Sequence, residues 1–134
     1  MGPEPTILCV DDYPSLLKTL AMALGGLGFR VLQAGTLVEA LRLCREYRPD
    51  AVLLEYNMCP GCPGEGSCAA EQIKLISPET KVLVWSTDDR ALRQPPSCAA
   101  ATFMKPMDPV EIAARLRAAL QPSKPEPGSL GTPE

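Results

Sequence analysis

Short apolar runs alternate along this chain with stretches in which apolar residues recur every three or four positions. Thr6–Val10 (TILCV), Phe29–Ala34, Ala51–Glu55, Lys81–Ser86 and Ala100–Met104 are of strand length, and an unbroken apolar run such as the first is what a parallel strand covered on both faces requires. Helical patterns fill the intervals. Pro14 suits a first helical turn, Leu17, Leu20, Ala21 and Leu24 form one stripe, and Gly25, Gly26 and Gly28 end it. A second helix is predicted with Thr36 as N-cap, Glu39 as its capping-box partner, and Leu37, Ala40, Leu41 and Cys44 on one face. A short third helix is predicted over about Cys68–Ile76, separated from the next strand by Pro78. Asp88–Arg93 has room for little more than a turn before Pro95-Pro96. The last helix is predicted from Asp108 as N-cap and Pro109 at its first position, with Ile112, Leu116, Ala119 and Leu120 facing inward.

Five such β/α repeats predict an open, mostly parallel sheet with helices on both faces and right-handed crossovers. Ligands of such sheets gather at the carboxyl ends of the strands. There the chain places Asp11 and Asp12, Glu55, Ser86 and Thr87, and Lys105. Three carboxylates, a hydroxyl and one ammonium make a hard, oxygen-rich site suited to Mg²⁺, with Lys105 balancing the remaining charge. Singly these residues read as a helix cap or a surface lysine; their placement at several strand ends is what points to a site.

The chain has 134 residues, 46% of them apolar, which is enough for one domain with its own core over residues 6–120. Residues 1–5 are an extension. From Gln121 onward the chain is Pro, Gly, Ser and charge, and is expected to be a disordered tail. A formal charge of −3 without any Lys/Arg-rich run argues against nucleic acid as a direct partner. The apolar stretches are too short to span a membrane, and the N-terminus lacks the layout of a signal peptide, so a cytoplasmic place is expected. There, the six cysteines read as free thiols or functional groups and not as disulfides.

The runs ILCVDDYP, LLEYNM, VLVWS and FMKP together resemble the receiver domain of two-component response regulators, over Thr6 to about Leu120. The resemblance implies a flavodoxin-like, doubly wound, five-stranded parallel sheet of order 2-1-3-4-5. It also implies a function, phosphorelay signalling: an aspartate ending the third strand accepts a phosphoryl group from a histidine kinase. Carried onto this chain, Asp11 and Asp12 become metal-binding acids, Glu55 stands at the acceptor position, and the carbonyl of Asn57 joins the Mg²⁺ ligands. Ser86 becomes the switch hydroxyl with Thr87 beside it, and Lys105, followed by a commonly cis Pro106, contacts phosphate. No organic cofactor is implied, since no phosphate-cradling loop follows the first strand.

Two departures stand out. Glu55 occupies the position of the acceptor aspartate, and its extra methylene moves the carboxylate outward by ~1.5 Å. That displacement is large for a nucleophile that must meet a phosphoryl group in line. A glutamate there can instead fill part of the space of a phosphoaspartate. These features predict a non-enzymatic, stand-alone signalling or adaptor module, a pseudo-receiver acting by protein–protein contact. A receiver still phosphorylated by a histidine kinase is the alternative. The second departure is the lengthened loop from Cys59 to Cys68, where Cys59 and Cys62 form a C-x-x-C pair and Cys68 lies near a helix start. A redox or metal sensor is a third reading. A zinc site would lack its four N/S ligands, because the chain has no histidine and Cys98, Cys44 and Cys9 are expected elsewhere. Reduced, inert loop thiols are the plain alternative.

Overall fold

The computed structural model describes residues 4–58 and 66–121, with the backbone alone for 66–68. Along these residues strands and helices alternate as β1 (Thr6–Val10), α1 (Pro14–Gly26), β2 (Arg30–Ala34), α2 (Leu37–Tyr47), β3 (Ala51–Glu55), α3 (Gly66–Ile76), β4 (Lys81–Ser86), α4 (Arg90–Arg93), β5 (Ala101–Met104) and α5 (Pro109–Leu120). All strand pairs are parallel, and the sheet order is β2-β1-β3-β4-β5. This is the flavodoxin-like, doubly wound arrangement, with α4 reduced to a single turn as the Pro95-Pro96 break predicts.

The boundaries that differ from the sequence reading have local causes. Phe29 is not yet strand, because its N–H closes the end of α1 on the Leu24 carbonyl (3.1 Å). Thr36 caps α2 as expected, its hydroxyl accepting from the Glu39 N–H at 3.1 Å. The capping box, however, is not completed: the Glu39 carboxylate pairs with Arg42 at 2.6 Å. The buried stripe of α2 is also turned slightly, with Leu43 joining Ala40 and Cys44 while Leu37 and Leu41 are only partly covered.

Alternation along the strands divides the core into two layers. Leu8, Val10, Val52, Leu54, Val82 and Val84 meet α2 and α3 through Ala40, Leu43, Ala70 and Ile73. Ile7, Cys9, Ala51, Leu53, Leu83 and Phe103 meet α1 and α5 through Leu17, Leu20, Leu24, Ile112 and Leu116. Each fully buried aliphatic side chain contributes about 1.5–3 kcal/mol, so both faces must be apolar for the sheet to close. At the amino ends of the strands, Thr80 donates to the Pro49 carbonyl at 2.7 Å, and Lys74 Nζ donates to the Pro78 and Thr80 carbonyls at 2.7 and 2.9 Å. These bonds stitch two turns together at the end opposite the candidate site.

Candidate functional site

The same alternation decides which strand-end residues meet. Asp11 follows Cys9 by two, Glu55 follows Leu53 by two, and Lys105 follows Phe103 by two, so all three continue the rows that face α1 and α5. Lys105 Nζ lies between the two acids, 2.6 Å from Asp11 Oδ2 and 2.6 Å from Glu55 Oε1. Beneath it is the Trp85 ring, whose centroid is 4.9 Å from the ammonium. Trp85 itself is buried, as the strand pattern predicts.

Glu55 is held at both oxygens. Oε1 accepts from Lys105, while Oε2 accepts from the Ser86 hydroxyl at 2.7 Å and from the Asn57 N–H at 2.9 Å. Ser86 in turn accepts from the Asp88 N–H at 3.2 Å. Asp11 Oδ1 accepts from the Tyr13 N–H at 3.1 Å, which fixes the turn into α1. Burial lifts the pKa of Asp11 above the ordinary carboxylate value, against the opposing pull of Lys105. For Lys105 burial acts downward, but the bonds and charges of Asp11 and Glu55 outweigh it and raise its pKa above the ordinary lysine value.

Asp12 falls on the other parity and stands apart from this cluster. It is exposed and lines a cavity of about 430 Å³ with Gly35, Thr36, Leu37, Val38, Asn57 and Met58. Among the described residues no three His, Cys, Asp or Glu side chains come together as a metal nest. Hard oxygens are present, but both Glu55 oxygens are committed to protein donors and Lys105 supplies the countercharge. The residues as arranged therefore do not fit Mg²⁺. Thr87 is exposed, so Ser86 alone of the pair faces the cluster. The Lys105-Pro106 peptide bond is cis, as the resemblance implies.

Sequence reading missed two participants. Asp88 accepts from Asn57 Nδ2 at 3.2 Å and from Arg90 Nε and Nη2 at 3.0 and 2.5 Å, and these bonds hold its carboxyl well below the usual range. Arg90 anchors this loop through its bonds to Asp88. A charged pair two residues apart after a strand was the available signal. The cysteine reading divides. Cys59 and Cys62, and the side chain of Cys68, lie outside the described residues. Cys9 and Cys44 are buried in the two core layers; burial pushes the Cys9 thiol up to about 12 and the Cys44 thiol up to about 11, far from a reactive thiolate.

No helix among the described residues is long and apolar enough to cross a membrane. Comparison with known proteins bears on the family and the fold. The chain is 36% identical over 124 residues to the DNA-binding response regulator MtrA of Mycolicibacterium smegmatis, a match covering 92% of this chain and 54% of MtrA. The chain thus spans about half the length of the curated relatives it matches. In structure it is similar to a CheY-like receiver domain protein of Methanospirillum hungatei, with a TM-score of 0.77, 22% identity, and coverage of 87% of this chain and 94% of that one. The signal receiver domain of the putative response regulator NarL from Mycobacterium tuberculosis gives a TM-score of 0.70 at 29% identity, covering 88% and 98%. Residues 7–117 match the model of the response regulator receiver domain, and the chain belongs to that family.

Proposed function

We propose that this domain is a non-enzymatic receiver, acting in the cytoplasm, whose phosphoryl switch is replaced by Glu55. The glutamate stands where the family resemblance puts the acceptor aspartate. The observation that carries this reading is its bonding: Lys105 Nζ, Ser86 Oγ and the Asn57 N–H all donate to the one carboxylate. In a receiver with a shorter acid, these donors would be left for the oxygens of a phosphoryl group. Here the longer side chain reaches them itself and brings a permanent negative charge to the place where a transferred one would sit. Lys105 lies between this carboxylate and that of Asp11 and offsets part of their combined charge.

Such a domain signals by protein–protein contact. A direct nucleic-acid contact is not carried over to it from MtrA, whose name gives DNA binding to a protein about twice the matched length. The net charge of −3 agrees with a protein partner. Trp85, the single tryptophan of the chain, lies against Lys105 and reports on the site. Fluorescence of the wild type should stay flat on adding acetyl phosphate with Mg²⁺, while that of Glu55→Asp should change. A response of the wild type equal to that of the variant would favour the conventional phosphotransfer reading.

A further inference from the structure

Glu55, Asn57, Ser86 and Asp88 form a closed ring of hydrogen bonds across the ends of β3 and β4. Around it, the Asp88 N–H donates to Ser86 Oγ, Ser86 Oγ–H donates to Glu55 Oε2, the Asn57 N–H donates to the same Glu55 oxygen, and Asn57 Nδ2 donates back to Asp88 Oδ2. Arg90 closes the ring from outside. Its backbone N–H and Nε reach Asp88 Oδ1 at 3.0 Å each, and its guanidinium also grips Oδ2. Arg90 is at the same time the first residue of α4, whose turn is held by the Arg93 N–H on the Asp89 carbonyl and the Gln94 N–H on the Arg90 carbonyl. A second tie lies nearby, where the Tyr56 hydroxyl donates to the Gln94 carbonyl at 3.3 Å.

We infer that Asp88, fixed by Arg90, is the positioning residue that couples Glu55 to the α4 segment. A ring in which each member orients the next has few partly satisfied states, since a lost bond leaves a neighbour's donor or acceptor without its partner. The position of the Glu55 carboxylate and the seating of α4 therefore rise and fall together. The inference rests on reading Glu55 as a fixed acid. It adds that Arg90, outside the acidic cluster, helps to hold Glu55 in place. Leu92, half exposed on the same turn, would be presented to a partner only while the ring is closed.

Coupling is reciprocal, so the test reads each end from the other. Residue-resolved amide hydrogen exchange is measured by NMR on the full chain as wild type, Arg90→Ala, Glu55→Ala and Glu55→Gln. Arg93→Ala serves as control, because it removes only the exposed pair with Asp89. Arg90→Ala should speed exchange of the Asn57 amide, in the other loop, by roughly tenfold, and Glu55→Ala should do the same to the Asp88 amide. Arg93→Ala should leave both unchanged. If Glu55→Ala does not fold, Glu55→Gln, which keeps the shape but loses the charge, must still speed the Asp88 amide. An effect of Arg90→Ala confined to residues 88–94, or one matched by Arg93→Ala, would overturn the inference. Either result leaves the acetyl phosphate response of Glu55 unaffected, so the two readings fail separately.

Discussion

Ser86 Oγ, at the end of β4, donates to Glu55 Oε2, at the end of β3, over 2.7 Å. The two strands are neighbours in the sheet, and the bond joins residues that the chain separates by 31 positions. It is also the point at which the acidic cluster meets the α4 loop, because the Asp88 N–H rests on the same oxygen. Replacing Ser86 by Ala should cost about 1–2 kcal/mol in urea unfolding, the scale of a buried acceptor and a loop donor losing one partner. Ser86→Thr keeps the hydroxyl and should cost clearly less. Equal losses for the two variants would mean that packing, and not the hydroxyl, matters at this position.

Lys105 is the sole cation that the described contacts bring to Asp11 and Glu55. Lys105→Met should destabilise the domain by about 3 kcal/mol near neutral pH, since two buried carboxylates then face each other uncompensated. That penalty should shrink as pH falls and Asp11, whose pKa burial already raises, takes up a proton. Lys105 has a folded-state pKa above its ordinary 10.5. Its contribution is therefore fully present below that value and is lost as pH rises through the folded value. The wild type should lose stability in this alkaline window, and the methionine variant should lack that loss. Stability against pH by denaturant titration of both proteins checks the sign.

Strand boundaries and faces were legible because they follow from local pattern. β1, β3 and β4 coincide with the apolar runs TILCV, AVLLE and KVLVWS. Asp11, Glu55 and Lys105 could be gathered from sequence because each ends a strand, and topology alone brings strand ends together. Parity then separated Asp12 from Asp11, a distinction that adjacent letters hide. The Asp88–Arg90 pair left a local signal, but its tie to Asn57 was not legible, since Asn57 lies 31 residues from Asp88 and is reached through loop geometry. The capping box at Thr36 failed for a competing reason: Arg42 is one turn on and takes the Glu39 carboxylate.

That last difference yields a direct check. Thr36→Ala should lower stability by about 1 kcal/mol, the usual cost of losing an N-cap oxygen. Glu39→Ala should cost less than Thr36→Ala, because its side chain holds an exposed arginine and not the Thr36 N–H. A Glu39 loss as large as that of Thr36, measured by thermal melting, would show that the box is closed in solution.

Gly28 stands at φ +99, a conformation that side chains bearing a Cβ rarely adopt. Gly28→Ala should destabilise the α1–β2 turn by about 1 kcal/mol or more through backbone strain, although the space around it is open enough for a methyl group. A neutral substitution in the same melting assay would contradict this.

The central claim is that Glu55 has taken the place of a transferred phosphoryl group. Intact-mass spectrometry of the wild type and of Glu55→Asp, each incubated with acetyl phosphate and Mg²⁺, tests it most directly. The account predicts that the aspartate variant gains one phosphoryl group while the wild type keeps its mass. Prompt labelling of the wild type would contradict it and place this chain among receivers that are still switched by phosphate.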